Sequence, residues 1–210
     1  MRLRTILSGL LAIFLITQFS FGAGKKANDK TIENIKAAIT GETTASAKYA
    51  AFAEQAKKDG FDKIALLFEA ASKSENIHAN NHRAVLEQLG ETMSAVTPNY
   101  EVKTTRENLE DAIKGETYEV TTMYPDFIKV AKDDGVNIAL ISFNYAFQTE
   151  KKHKAMYENA LTKLDDGTVQ ELSDMYMVCP TCGNTYDTQA PKRCGISMTP
   201  SDRFLIIKAS

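Results

Sequence analysis

The chain has 210 residues, 43% of them apolar and 25% charged, with a formal net charge of −2. That composition excludes a disordered chain and suits one ordinary domain plus a small module. With no basic patch interleaved with aromatics it excludes nucleic acid as a partner, and three cysteines confined to Cys179–Cys194 argue for one local site, not a disulfide framework.

In chain order, Arg2 and Arg4 precede an apolar run from Ile6 to Ile16, and the small residues Ser20, Gly22, Ala23 and Gly24 follow. This is the layout of a secretory signal peptide. Ile6 to Gly24 is also just long enough to span a bilayer. Residues 1–24 are therefore expected to be a signal peptide or a retained membrane anchor, and 25–30 a linker. The rest is expected to be exported, to the periplasm or, if the leader is retained, anchored with its body facing outward.

Residues 31–166 hold an internal repeat. NIKAAITGETTASAKYAAFAEQAKKDG, from Asn34, aligns with NLEDAIKGETYEVTTMYPDFIKVAKDDG, from Asn108, apart from one extra residue. The segments that follow, around SENIH and TEKKH, also run parallel, so two copies of a long helical hairpin are expected. Apolar stripes step by three and four throughout. The first two are Ile35, Ala38, Glu42, Ala45, Tyr49, Phe52, Ala56 and Ile64, Phe68, Ala71, Glu75, His78, His82, Val85, Leu89. The second copy gives Leu109, Ala112, Glu116, Glu119, Met123, Phe127, Val130 and then Ala139, Phe143, Ala146, Glu150, His153, Tyr157, Ala160, Leu164. Gly60, Gly90, Gly135 and Gly167 stand where these four helices should end, and Thr104 with Glu107 reads as a capping box. Pro125 should kink the third helix or coincide with a bulge, because it lacks an amide donor. ETMSAVTPNYEVK, between the hairpins, has the length of a crossover along the bundle. From Val169 the helical period stops, and short strand-like pieces punctuated by Pro and Gly indicate a small separate module over 167–210.

The stripes contain charges. Glu42, Glu75, His78, Glu116, Glu150 and His153 fall on core positions, where an unpaired charge would cost several kcal/mol or lose its proton balance. Any one of them alone reads as an edge residue or half of a salt bridge. Six at matched depth in two copies read as a metal site. A Glu from each of two helices and a Glu-x-x-His pair from each of the other two is the ligand set of dinuclear carboxylate centres in helical bundles. The mixed oxygen and nitrogen donors suit redox-capable iron or manganese better than calcium or a closed zinc site. Glu119 is a seventh, with Ala45 at the equivalent place. One metal thus has a ligand choice that the other lacks, so that ion is expected to move between Glu119 and His78 as its charge changes. His82, opposite Tyr157 in the repeat, reads as a packing residue or a support for a ligand.

GETTASAKY, SENIH, KGETYEVTTMYPDF, TEKKH and CPTCG together resemble rubrerythrin, over about Thr31 to Lys208. The resemblance implies an all-α four-helix ferritin-like bundle with a small C-terminal rubredoxin-like β module. It implies a di-iron centre on Glu42, Glu75, His78, Glu116, Glu119, Glu150 and His153, with Tyr49 and Tyr124 nearby as core fillers or in proton or electron delivery. The implied reaction reduces hydrogen peroxide to water in a homodimer. The iron pair supplies two electrons and is re-reduced through the thiolate iron by an electron donor the sequence does not identify. The sequence departs from the pattern in the second Cys-x-x-Cys knuckle, which reads CGIS: Cys179, Cys182 and Cys194 are present, but Ser197 stands where the fourth cysteine belongs. Three outcomes follow. Ser197 or a water completes an iron site; the site holds structural zinc; or no metal binds and Cys179 pairs with Cys182. The competing function is ferritin-like iron binding with ferroxidase activity.

Overall fold

The structure, a computed structural model, describes residues 29–187 and 189–209. The expected leader lies outside them. Helix α1 (Asp29–Lys58) begins inside the stretch read as a linker and is followed by α2 (Asp62–Gln88), α3 (Thr105–Tyr118), a π-helical turn (Glu119–Met123), α4 (Tyr124–Asp134) and α5 (Asn137–Asp165). Helix α1 packs along α2, and the rod made of α3, the π turn and α4 packs along α5, with α2 and α5 in contact between the hairpins. The boundaries lie at the expected signals. Thr104 and Glu107 close a capping box on α3, and Gly135 ends α4 at φ 71°. Residues 91–103 run the length of the bundle, tied at one end by Lys36 to Glu91 (3.5 Å) and at the other by Thr105, whose N–H donates to Asp59 Oδ2 (3.0 Å).

The extra residue of the second copy is absorbed in the π turn, where Tyr124 N–H reaches back five residues to the Glu119 carbonyl. Pro125, the first residue after that bond, lacks the donor that would extend the ladder. One inserted residue rotates everything beyond it by about 100°. The buried residues of α4 are therefore Tyr124, Ala131 and Asp134, and Val130, expected on the stripe, is half-buried. Phe127 stays packed against the core.

Two apolar clusters sandwich a polar layer. One joins Ile35, Ile39, Leu86, Phe143 and Ala131; the other joins Phe52, Phe68, Leu109 and Tyr157. The C-terminal segment is a small β module that packs onto the bundle. Strands β1 (Met175–Val178), β2 (Thr185–Tyr186) and β3 (Leu205–Lys208) form an antiparallel sheet in the order β2-β1-β3. Leu172, Tyr176 and Val178 enter the same cluster as Phe68 and Tyr157. A three-stranded sheet this short has one apolar face and stays stable by burying it on a neighbour.

Candidate metal centres

The polar layer is built by repetition. On α2, Glu75 and His78 lie one turn apart; on α5, Glu150 and His153 do the same, so each pair projects from one face. Helices α1 and α3 each add one carboxylate, Glu42 and Glu116, and all six side chains are buried. They converge as two overlapping groups, Glu42, Glu75, His78, Glu150 and Glu75, Glu116, Glu150, His153, with the donor atoms of each group within 4.8 Å of one another. Glu75 and Glu150 belong to both groups. His78 Nδ1 lies 2.9 Å from Glu75 Oε2 and 2.8 Å from Glu150 Oε1; His153 Nδ1 lies 3.0 Å from Glu75 Oε1 and 2.8 Å from Glu150 Oε2.

The fit to a pair of metal ions rests on which atoms are orphaned. Both oxygens of Glu75 and Glu150, Oε2 of Glu42 and Glu116, and Nδ1 of both histidines are buried without a hydrogen-bond partner. Buried polar atoms are otherwise nearly always satisfied. These atoms make two sets of four, with Glu75 and Glu150 giving one oxygen to each. The histidine nitrogens stand 2.8–3.0 Å from the Glu75 and Glu150 oxygens and farther from Glu42 Oε2 (3.7 Å) and Glu116 Oε1 (4.0 Å), spacings across which donors could share a first-row ion. Four carboxylates balance the charge of two divalent ions.

The remaining donor atoms are all anchored. Tyr124 donates to Glu42 Oε1 and Tyr49 to Glu116 Oε1 (2.8 Å). Burial and the neighbouring carboxylates push both phenols well above their usual range, so they stay protonated and donate. Burial drives Glu42 up to about 7, only partly opposed by His78, and drives Glu116 well above a normal carboxyl. Against burial, His153 and His78 hold Glu75 at about 2, and Glu75 and Glu150 raise His153 to about 9. Glu119 opens the π turn, half-buried and outside both four-residue groups. Burial and then the neighbouring carboxylates Glu42, Glu150 and Glu75 push its carboxyl well up. His82 lies one helical turn beyond His78, buried, with Nε2 3.2 Å from the Tyr124 hydroxyl.

The outer nitrogens of both histidines meet the C-terminal segment, a contact the sequence did not disclose. His78 Nε2 donates to the Cys182 carbonyl (3.0 Å), and His153 Nε2 lies 2.9 Å from Thr185 Oγ1. An N–H committed on the outer nitrogen leaves Nδ1 bare as a ligand. Ser74 donates to the Gly183 carbonyl (2.8 Å), Thr149 to the Cys182 carbonyl (3.3 Å) and Lys152 to Asn184 Oδ1 (2.7 Å). Ser74 and Thr149 directly precede Glu75 and Glu150; that repeated small hydroxyl was the one signal available in the sequence.

Cys179, Cys182 and Cys194 form a third group, buried and free of disulfides. Two backbone knuckles of matching form hold it. Gly183 N–H donates to Cys179 O (2.9 Å) and Met198 N–H to Cys194 O (3.0 Å); Cys179 N–H reaches Asn184 O (3.0 Å) and Cys194 N–H reaches Thr199 O (2.8 Å). Ser197 thus holds the position that Cys182 holds in the first knuckle, its Oγ 3.3 Å from Cys179 Sγ and 2.9 Å from Thr199 Oγ1. Met198 takes the glycine place at φ 61°. Hydrogen bonds from Cys182 and Ser197 hold Cys179 down at about 4 despite burial. Cys194 accepts from Asn184 Nδ2 (3.4 Å) and Ile196 N (3.5 Å). Three thiol sulfurs and one hydroxyl in tetrahedral-knuckle geometry fit a single iron or zinc.

The family model for Rubrerythrin matches residues 33–161. The chain is similar to nigerythrin of Nitratidesulfovibrio vulgaris, 35% identical over 197 residues covering 90% of this chain and 92% of that protein. It is also similar to a rubrerythrin of Porphyromonas gingivalis, 31% identical over 86% and 92% of the two chains. Among solved structures, nigerythrin in its fully reduced, all-ferrous state has a TM-score of 0.77 at 32% identity, covering 97% of this chain and 100% of that one. A Rhodobacter capsulatus bacterioferritin, with a TM-score of 0.61 at 21% identity over 79% of this chain and 99% of that one, shares the bundle fold.

Proposed function

The chain belongs to the rubrerythrin family, and from that premise we propose that it is a non-haem di-iron peroxidase that reduces hydrogen peroxide to water in oxidative-stress defence. The family's di-iron centre would be held by Glu42, Glu75, His78, Glu116, Glu150 and His153, with Glu119 as the additional ligand. When bound, the two irons supply the electron pair that cleaves the O–O bond. The protein supplies the rest. Glu75 and Glu150 give one oxygen to each half, and the Tyr49 and Tyr124 hydroxyls hold the outer oxygens of Glu116 and Glu42. The apolar clusters on both sides keep the layer dry, where its electrostatic interactions are strongest.

The observation that carries the peroxidase reading over iron storage is the hydrogen bond from His78 Nε2 to the Cys182 carbonyl. It ties a bundle ligand directly to a residue of the thiolate group, a short covalent and hydrogen-bonded route for returning electrons. A storage protein has no use for that route. In this reading Cys179, Cys182, Cys194 and Ser197 hold the relay metal, the protein works as an exported homodimer, and a separate electron donor re-reduces it.

The test is metal content, visible spectrum and turnover on one preparation. Two metals per chain in the bundle, a thiolate absorption band, and catalytic peroxide consumption with reductant are expected. Ferrous iron oxidised faster than peroxide is consumed, in cage-sized particles that accumulate mineral, would replace this reading with ferroxidase storage.

A further inference from the structure

The two halves of the metal layer are related by the repeat, and they differ in what lies behind their tyrosines. Behind Tyr49 stands Tyr157, whose hydroxyl is buried without a hydrogen-bond partner, and behind that Leu67, fully packed in the core. Behind Tyr124 the equivalent places hold His82 and Ser142. His82 Nε2 lies 3.2 Å from the Tyr124 hydroxyl, and the Ser142 hydroxyl lies 2.7 Å from His82 Nδ1. Ser142 is the floor of a shallow surface groove between α2 and α5, beside Asn81, Gln88, Ile141 and Tyr145.

We propose that Ser142, His82 and Tyr124 form a proton-entry chain, leading from the surface groove to Glu42 Oε1, that serves one half of the centre and is closed in the other. The proposal rests on the peroxidase reading. The polarity of the chain follows from its inner end. A carboxylate bound to metal through Oε2 only accepts at Oε1, so the Tyr124 hydroxyl donates to it. The phenol oxygen then accepts from His82 Nε2–H. Nδ1 is left bare and accepts from the Ser142 hydroxyl. Every link therefore points inward. Burial and the nearby His78 hold His82 down at about 3, so the ring is neutral and has one donor and one acceptor nitrogen.

Peroxide reduction requires protons as well as electrons: H2O2 + 2 e− + 2 H+ gives 2 H2O. The electrons come from the reduced centre. For each proton, Ser142 O–H passes its hydrogen to His82 Nδ1, His82 Nε2–H passes its own to the Tyr124 oxygen, and Tyr124 O–H passes its own to Glu42 Oε1 and on to the oxygen being reduced. Water in the groove restores Ser142, the hydroxyls rotate back, and His82 recovers its Nε2–H by turning its ring outward, releasing the Nδ1 hydrogen to groove water and taking one from water at Nε2, so that each cycle moves one proton inward. In the other half Leu67 has no hydrogen to pass on and the Tyr157 hydroxyl is left without a partner, so no such transfer begins there.

The experiment uses the full chain. In the zinc-loaded, diamagnetic protein, nitrogen-15 NMR of the imidazoles should show His82 with hydrogen on Nε2 and a bare Nδ1; hydrogen on Nδ1 would reverse the chain and overturn the proposal whatever the turnover. In the iron-loaded protein, His82→Leu should lower kcat for peroxide by about 100-fold, the lower side of what a proton-transfer group contributes, with iron content and KM unchanged. Ser142→Ala should lower it by a smaller factor. His82→Ala should regain turnover on addition of imidazole, which packing loss alone would not allow. A parent protein that turns over peroxide and a His82→Leu variant within twofold of it, equally loaded with iron, would overturn the relay. A parent that consumes no peroxide would instead overturn the function on which it rests.

Discussion

At the scale of single residues, the tightest surroundings among the described glycines are at Gly183. Its φ of 76° is left-handed, and a Cβ there would overlap His78 Nε2 and stand 2.6 Å from Ser74 Oγ. Only glycine lets the Cys182–Asn184 backbone come close enough to accept from His78 and Ser74. Gly183→Ala combines a left-handed alanine, costing about 1–2 kcal/mol, with overpacking of about 1–3 kcal/mol. It should lower Tm by about 2–4 °C per kcal/mol lost and slow the return of electrons to the bundle more than it lowers iron content. Stopped-flow reduction beside calorimetry checks this, and unchanged kinetics would show that the contact carries no electrons. The six clustered side chains were legible in the sequence because charges on an apolar stripe have few structural explanations. Gly183 was not, because the atoms it must avoid are over a hundred residues away in the chain. Ser74 and Thr149 were not, because a small hydroxyl on a buried helix face usually satisfies itself on its own backbone.

Secondary-structure elements carry the asymmetry between the copies. The π turn takes up the second copy's extra residue between Glu116 and Tyr124, so both keep the places that Glu42 and Tyr49 hold in the first copy, and each tyrosine still reaches the carboxylate across the bundle. It also accommodates Pro125, whose counterpart in the first copy is Ala50. Deleting Val120 should return the rod to a regular α-helix and set Pro125 in its interior, at a cost of about 3 kcal/mol. Pro125→Ala in the deleted background should recover most of that loss and, in the parent, change stability little. Urea melts of the four proteins check it; additive losses would mean that proline and turn are independent. The one-residue length difference and the proline were both visible in the sequence, but the rotation of the stripe from Val130 to Ala131 needed the position of the turn.

For the whole molecule, the excess of buried carboxylates sets how stability depends on pH and metal. Glu42 at about 7 lies above an unfolded value near 4.5, so the native metal-free chain binds more protons than the unfolded one across that interval. Its stability must fall as pH rises from about 4.5 through 7, by an amount on the order of 3 kcal/mol from this group alone, with Glu116 and Glu119 adding in the same direction. The metal-free Tm should therefore drop between pH 5 and pH 8, and the rise on adding ferrous iron under argon should be larger at pH 8. A metal-free Tm that climbs over this range would contradict the burial of these charges. The bundle and its ligands were readable from periodicity and repetition. The joining of sheet and bundle into one core was not, since three strands of two to four residues give no pattern that specifies a partner. That join has a bearing on assembly. The segment from Cys182 to Thr185 supplies the outer anchors of both imidazoles, so a variant truncated before Cys179 should leave both histidine rings free to turn and hold metal less firmly.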